Sequence, residues 1–306
     1  MVAETGPTDV TRGATVRRPP RVSIGFPVYN GERYIERALR SLLDQTYRDF
    51  EIIISDNAST DRTIELIERT ADGDPRVLLL RNEVNRGAAW NYNRVFEVAT
   101  GEYFRWQAHD DWCEPDLLQR SVDALDADPG AILAHSWTKV VDVAGDTVEW
   151  YRNDLHVRSD DPSERLVEIV RRLTYCHPVF GLIRRDVLER TALIAPFPRS
   201  DVSLLYELAV LGRFTVIPEF LFSALPSASL RENPNNKLLA QWFAPDARGR
   251  RVPVFWLWRA SVAAIWRSPH RVGDKLRATV VFQRVWPVEW ARQAVRRRRN
   301  KRRGVS

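Results

Sequence analysis

The first 111 residues alternate short apolar runs with helical patterns. The apolar runs, rich in β-branched and aromatic residues, lie at 22–26, 51–54, 77–81 and 103–107. Between them, apolar residues recur at helical spacing, most clearly over 34–43 and 88–99. Strands that alternate with helices form βαβ units with right-handed crossovers. The chain is therefore predicted to be an α/β protein with a mostly parallel sheet flanked by helices.

Every predicted strand in this region ends in polar, small or acidic residues. The four segments are Pro27–Asn30, Asp56–Asn57, Asn85–Gly87 and His109–Asp111. Such residues are common in ordinary turns, but in a parallel sheet all four loops open at the edge where ligands bind. Their aromatic, carboxylate and cationic groups suit a nucleoside diphosphate. Because GxGxxG and GxxxxGK[ST] are both absent from the sequence, metal and arginine would have to neutralise the phosphates.

Asp110 and Asp111 are adjacent carboxylates directly after the fourth predicted strand. Two such charges repel each other unless a cation lies beside them, and Mg²⁺ or Mn²⁺ prefers oxygen ligands of this kind. The alternative is an ordinary solvated turn or helix N-cap, since residues 112–116 resemble a helix start. The pair alone does not decide between these interpretations.

Three ordered motifs carry a family resemblance. They are FPVYNGERYIERALRSLLDQTYRDFEIIISDNASTDRT at 26–63, NRGAAWNYN at 85–93 and HDD at 109–111. Over about residues 21–220 the chain resembles the GT-A fold glycosyltransferases of family 2. The resemblance implies a Rossmann-like sheet and an inverting hexosyl- or deoxyhexosyltransferase that uses a nucleoside-diphosphate sugar, such as a UDP-sugar.

The resemblance also implies roles for individual residues. The residues that would bind the nucleotide sugar are Pro27, Tyr29, Asn30, Asp56, Arg86, Asn93 and Asp110. The first three would line the base and ribose pocket, Asp56 would hydrogen-bond the base, and Asp110 would point toward ribose and metal. Asp111 would bind the divalent metal, Mg or Mn, directly. His109 stands where many relatives carry the first acid of a DxD motif.

Asp201 lies at the start of a predicted helix over 197–214, where the resemblance places the base that deprotonates the acceptor hydroxyl. Its alternative role is a helix N-cap, and Ser200 replaces the Glu of many relatives. Glu207, one to two turns later, is the second candidate base, although an exposed or structural carboxylate is the simpler interpretation. His177 lies within reach of an acceptor in this scheme, with a structural role as the alternative.

The segment 221–237 contains no His, whereas many relatives complete the metal shell with one in this loop. Arg231 or Lys237 would then contact the diphosphate. A relative that binds nucleotide sugars without turnover therefore stays open as an alternative. A nucleotidyltransferase is disfavoured, because PVYNGE is not a Gly- and Arg/Lys-rich loop.

Charge is divided unevenly along the chain. The net charge is +6, yet residues 248–306 contain 17 basic and two acidic residues. This region also holds Trp256, Trp258, Trp266, Trp286 and Trp290. Phe255, Trp258, Val262, Ile265 and Trp266 would share one helix face with Arg259 at its edge. An apolar, Trp-rich face beside arginines is typical of an interfacial helix.

The predicted partner of this extension is an anionic membrane surface, with a helical subdomain packed on the body as the alternative. No nucleic acid is expected, because the body is acidic. The predicted organisation is a disordered leader at 1–20, a GT-A domain at 21–240 and a helical, basic extension at 241–306. Two cysteines and the lack of a signal peptide favour a cytoplasmic protein, peripheral on the inner membrane face, acting on a glycolipid or envelope glycan acceptor.

Overall fold

The structure, a computed structural model, describes residues 18–225 and 255–302, with the backbone alone for 293–302. The strands are β1 (Val22–Val28), β2 (Phe50–Asp56), β3 (Val77–Arg81), β4 (Tyr103–Trp106), β5 (Trp112–Cys113), β6 (Ala131–Val141), β7 (Thr147–Tyr151), β8 (Leu182–Arg184) and β9 (Arg213–Ala224). The helices are α1 (Ile35–Leu43), α2 (Thr63–Ala71), α3 (Ala88–Val98), α4 (Leu117–Ala127), α5 (Pro162–Arg172), α6 (Arg185–Leu188), α7 (Ser200–Leu211), α8 (Phe255–Arg267) and α9 (Val272–Arg302), with a 3-10 helix at His177–Phe180.

Within the described residues the strands form one sheet in the order β3-β2-β1-β4-β8-β6-β9-β5, with β7 paired to β6. Strands β1 to β4 are parallel, as the βαβ pattern predicts. The antiparallel pairs lie in the second half of the sheet, where β8 joins β4 to β6 and β5 pairs with β9. The α/β fold class is thus confirmed.

Helices cover the sheet on both faces because its central strands are apolar on both sides. In β2, Ile53 packs into one core cluster and Ile52 and Ile54 into the other. Helices α3, α5, α7, α8 and α9 contribute to the first cluster, while α1, α2 and α4 contribute to the second. Because both faces of the sheet are covered, all residues of β1 are buried, and buried residues do not alternate with exposed ones along the strand.

The segment after the acidic pair differs in part from the expectation. A helix does start here, but only at the end of residues 112–116. Trp112 and Cys113 instead pair with Ser223 and Phe222 of β9, and α4 starts after its N-cap residue Asp116.

The C-terminal region is helical, as predicted, and it packs on the body. In α8, Leu257 and Ile265 join the core, and Trp258 and Val262 pack against it. Phe255 and Trp266 are exposed instead, so the predicted apolar face is divided between the core and the surface. The helix has an inner face toward α7 and an outer apolar strip, because the tertiary contact covers only part of the apolar surface.

No helix in the described part of the chain combines the length and apolarity needed to cross a membrane. The boundary predicted at residue 240 and most of the predicted leader lie outside the described residues, as do Arg231 and Lys237.

Candidate functional site

The polar strand ends meet at one edge of the sheet. Val28 of β1 lies opposite Asp56 of β2, and Gly25 of β1 lies opposite Trp106 of β4, so the loops that follow are neighbours. The ring of His109 approaches Gly31, where an added Cβ would come within 3.0 Å of its Cδ2 atom. The expectation that these loops share one edge is therefore met by the register of the strands.

Asn30 joins the loops after β1 and β2, and Asp56 orders the loop that follows it. One carboxylate oxygen of Asp56 accepts a hydrogen bond from the Ser59 N–H at 3.1 Å, and the Asn30 side-chain oxygen accepts one from the Thr60 N–H at 2.9 Å. Asp56 is buried, and its Oδ1 atom has no hydrogen-bond partner among the described residues. A buried acceptor without a partner is costly unless a ligand satisfies it. Tyr29, by contrast, is 38% exposed at the rim.

Hydrogen bonds of buried side-chain amides stabilise the loops at this edge of the sheet. Asn91 accepts a hydrogen bond from the Ser55 hydroxyl at 2.6 Å and donates to the Ser55 carbonyl at 2.9 Å. Asn57 accepts from the Arg86 N–H at 3.0 Å. Gly87 precedes α3 with φ 86°, a conformation that side chains other than glycine rarely adopt. Asn57 and Asn91 were missed as site residues, although both lie within the quoted motifs.

Asp111 is a buried residue of the loop between β4 and β5. One of its oxygens accepts a hydrogen bond from the Leu225 N–H at 3.1 Å. Burial raises the pKa of its carboxyl well above the usual range, and the charge of Asp110 raises it further. Asp111 is therefore not a residue of a solvated turn, and the N-cap position of α4 is occupied by Asp116, which makes no side-chain capping bond.

A buried arginine lies behind the acidic pair. Arg105 is 1% exposed and donates to the Gln107 side chain at 3.0 Å and to the Phe180 carbonyl at 3.3 Å. Gln107 in turn donates to the Asp111 carbonyl at 2.8 Å, which fixes the backbone of the loop. The charge of Arg105 opposes the rise in the pKa of Asp111. The clue to Arg105 in the sequence is that a charged residue lies inside an otherwise apolar strand.

Tyr92 of α3 responds to the charge of three carboxylates. Burial raises the pKa of its hydroxyl, and the negative charges of Asp110, Asp111 and Asp201 raise it further. The base candidate on α7 and the acidic pair after β4 therefore both act electrostatically on the same side chain. Tyr92 was missed, because a tyrosine between two asparagines of a helix has no distinctive pattern.

Asp201 is the second residue of α7 rather than its N-cap. The residue before the helix is Arg199, which has φ 70° and makes no side-chain capping bond. The Asp201 Oδ1 atom accepts a hydrogen bond from the Val202 N–H at 2.9 Å. The residue is half-buried.

The remaining predicted residues have distinct environments. The guanidinium of Arg86 lies over the Trp90 ring, 4.9 Å from its centroid. Asn93 exchanges two hydrogen bonds with the backbone of Ile194, at 3.0 and 3.1 Å. Pro27 lies in β1 opposite Ser55.

His177 is part of an aromatic cluster. It stacks on Tyr175 with 5.2 Å between ring centroids and lies 6.2 Å from Phe222. Burial lowers its pKa to about 4, so the ring is neutral at pH 7. A neutral ring among aromatic side chains supports the structural interpretation.

The acidic pair suits a divalent metal. Asp111 and Asp110 place two like charges together, one of them buried, and a hard cation offsets that repulsion. Across residues 18–225 and 255–302, no group of three or more His, Cys, Asp or Glu side chains forms a complete metal shell. The protein part of the site thus fits a cation that takes its other ligands from phosphate and water.

Comparison with known proteins gives consistent matches. The model of the family "Glycosyl transferase family 2" matches residues 23–191, which is more than half of the chain. An uncharacterized glycosyltransferase of Haemophilus influenzae is 37% identical over 106 residues, covering 35% of this chain and 42% of that protein. The Escherichia coli chondroitin synthase is 31% identical over 135 residues, covering 44% and 20%. The matches thus span less than half the length of these two relatives.

Solved structures agree on the fold. The S. aureus TarS fragment 1-349 in complex with UDP superposes with a TM-score of 0.59 at 18% identity, covering 86% of this chain and 70% of that one. The mannosyltransferase PcManGT from Pyrobaculum calidifontis, in complex with GDP-Man and Mn²⁺, gives a TM-score of 0.51 at 20% identity, covering 91% and 80%. The architecture is that of the GT-A glycosyltransferases.

Proposed function

Because the chain belongs to glycosyl transferase family 2, we propose that it transfers a sugar from a nucleoside-diphosphate donor to a hydroxyl group, with inversion at the anomeric carbon. The observation that carries this proposal is the placement of the buried carboxylates of Asp56, the last residue of β2, and Asp111, which follows β4, at one edge of the sheet. Family membership favours a glycosyltransferase over a nucleotidyltransferase or a nucleic-acid-binding protein.

The donor would bind across the loops after β1, β2 and β3. Tyr29 would lie against the base, with Pro27 and Asn30 lining the pocket. The unpartnered Oδ1 atom of Asp56 would accept an N–H of the base, which supports the assignment of this residue. Arg86, Asn93 and Asp110 would complete the nucleotide site. UDP in TarS and GDP-Man in PcManGT are consistent with a UDP-sugar or another NDP-sugar.

Asp111 would hold a divalent metal, Mg or Mn, with Asp110 beside it. When bound, such a cation supplies positive charge against the diphosphate leaving group. Arg105 and Gln107 would keep the loop in place by holding the backbone of Asp111.

Asp201 would act as the general base. Its carboxylate would take the proton of the acceptor hydroxyl as that oxygen attacks the anomeric carbon from the face opposite the diphosphate. Attack from that face inverts the carbon. The hydrogen bond from the Val202 N–H would hold the carboxylate in orientation.

Thermal-shift measurements with a panel of nucleotide sugars, with and without Mn²⁺, test the proposal. A bound donor stabilises the folded state in proportion to the logarithm of its concentration over Kd, so one donor is expected to raise Tm in a metal-dependent way. Hydrolysis of that donor then reports turnover. Binding without hydrolysis or transfer would favour the second candidate, a donor-binding relative without activity. That candidate is supported by the incomplete protein metal shell among the described residues.

The acceptor is proposed to be a glycolipid or a cell-envelope glycan, reached from an anionic membrane surface. The support is the outer apolar surface of α8 and α9, formed by the exposed residues Phe255, Trp256, Trp266, Val272, Leu276, Val280 and Trp290. Val272, Leu276 and Val280 repeat every four residues, which places them on one side of α9. Apolar residues on a basic helical extension suit adsorption to anionic lipid.

Deleting residues 296–306 is expected to weaken binding to anionic vesicles without abolishing it. The deletion removes seven basic residues and no acidic ones. Each Lys or Arg near an anionic leaflet contributes about 1 kcal/mol, while the outer apolar surface remains. The truncated protein should leave the vesicles at lower salt, as measured by co-sedimentation, and should still bind donor.

A full-length variant with the same seven residues changed to Gln is the matched control, because it removes charge at constant length. It should behave like the truncation. Equal binding of all forms to anionic and neutral vesicles would contradict membrane docking, and preference of the tail for RNA would revive the nucleic-acid alternative.

A further inference from the structure

The helix that carries Asp201 is linked to the C-terminal helices by an ion pair between a buried carboxylate and an arginine that is 43% exposed. Glu207 lies one to two turns after Asp201 in α7, and its side chain is only 4% exposed. Its Oε1 atom accepts hydrogen bonds from Arg267 at the end of α8, from Nε at 3.0 Å and from Nη2 at 2.9 Å. The pair thus links α7 to α8, and both helices lie beyond residue 191, where the match to the family model ends.

The other oxygen of Glu207 reaches the segment that leads into α7. Its Oε2 atom accepts a hydrogen bond from the Ala192 N–H at 3.1 Å. Two residues later, Asn93 exchanges its two hydrogen bonds with the Ile194 backbone. The segment 192–199 is therefore anchored at its beginning by one side chain from α7 and one from α3, and it ends directly before Ser200 and Asp201.

The backbone of segment 192–199 is strained at both ends. Leu193 has φ 54° and Arg199 has φ 70°. Non-glycine residues rarely adopt such conformations, which persist only where the surroundings hold them, and they concentrate at functional sites. Loss of an anchor is expected to relax this segment first and to shift the start of α7.

The charge of Arg267 is what makes Glu207 a stable anchor. Burial raises the pKa of Glu207, while the Ala192 N–H and the charge of Arg267 act in the opposite direction. Arg267 is the one charged side chain in the described residues that is found to act on it. The nearby His270 ring contacts the Val210 carbonyl at 2.8 Å rather than Glu207. Glu207 is therefore a buried, paired carboxylate and not an exposed one.

We propose that the Glu207–Arg267 pair is a positioning device by which the C-terminal helices hold segment 192–199 and set the place of Asp201. The proposal rests on the assignment of Asp201 as the base. It gives the extension a role in turnover that is independent of membrane binding. Neither residue touches the reacting atoms, so both act through the backbone that precedes α7.

The test is a double-mutant cycle with Arg267→Gln, Glu207→Gln and the double variant. Arg267→Gln leaves the buried carboxylate without its partner, so kcat is expected to fall about tenfold with donor KM unchanged. The double variant removes the charge as well, so kcat should recover to within about threefold of the native value. Arg267→Lys keeps the charge and should stay within the same range. Arg271→Gln, an exposed arginine outside the pair, is the matched control.

The pH profile separates positioning from general destabilisation. Without Arg267, the raised pKa of Glu207 rises further. At acid pH the carboxyl is then protonated, and a neutral group can stay buried without a partner. As pH increases, the carboxyl loses its proton and becomes an unpaired buried charge. The ratio of variant to native kcat should therefore fall with rising pH for Arg267→Gln and stay flat for the double variant. A flat ratio for both would overturn the proposal.

Hydrogen–deuterium exchange without donor gives a readout that does not depend on turnover. Amides of residues 192–200 should exchange faster in Arg267→Gln and recover in the double variant. If no donor is turned over by the native protein, this local pattern still supports the anchoring, and only the proposed function fails. Unchanged exchange there, or a uniform increase over the whole chain, would overturn the positioning role even in an active enzyme.

Discussion

Replacing Asp201 by Asn is expected to lower kcat by roughly two orders of magnitude or more, the usual range for loss of a general base. An amide cannot take the proton of the acceptor hydroxyl. Its oxygen can still accept the hydrogen bond from the Val202 N–H, which is 2.9 Å long in the native protein, so α7 should keep its first turn. Donor affinity should be unchanged, because the donor-binding loops follow β1 to β4. Steady-state kinetics and calorimetry with the same donor measure the two effects separately.

Asp186→Asn is the control for this variant, because it removes a carboxylate that is 77% exposed on α6. It should leave kcat near the native value. If Asp201→Asn also retained native kcat, the base would have to be another residue. Glu207 would be a poor replacement, since both of its oxygens already accept hydrogen bonds and Arg267 shields it.

Replacing Asp111 by Asn is expected to abolish metal-dependent donor binding. A neutral amide is a much poorer ligand for a hard cation than a carboxylate. Without the cation, the charge of Asp110 would also repel the diphosphate. Calorimetric titration of the donor with Mn²⁺ present should show no binding above the level found with the metal removed.

The fold of Asp111→Asn should survive, since the amide oxygen can accept the Leu225 N–H in place of the carboxylate. Its Tm without metal should equal or exceed the native value, because the substitution removes a buried charge that Asp110 destabilises. Asp123→Asn, on the exposed side of α4, controls for the loss of one negative charge. Native Mn²⁺-dependent binding by the Asp111 variant would show that the metal assignment is wrong.

These two substitutions act on different parts of the proposed reaction and should be distinguishable. Asp201→Asn should bind donor with metal and fail to transfer, whereas Asp111→Asn should fail at binding. A protein in which both variants bind donor normally and the native form does not transfer would match a relative without turnover.

The local structure of the N-terminal half follows from its sequence alone. The apolar run 77–81 forms a strand with the predicted bounds, and the other three runs form strands whose ends differ from the prediction by one or two residues. Runs of β-branched and aliphatic residues with polar loop residues at each end have few other ways to bury their surface. The strand ends that carry Asp56 and Asp111 follow from the same pattern, since parallel strands open their carboxyl ends at one edge. Motif resemblance added the family, which the match over 23–191 confirms.

Tertiary structure decided the features that depend on contacts between distant residues. Burial of Asp111 comes from β5 pairing with β9, about 110 residues later in the chain, and no local pattern encodes that pairing. The division of α8 into an inner face and an exposed strip with Phe255 and Trp266 depends on how much of its apolar surface α7 covers. Glu207 reads as an ordinary helical carboxylate in the sequence. It becomes a buried anchor only because α8 brings Arg267 to it, 60 residues away along the chain.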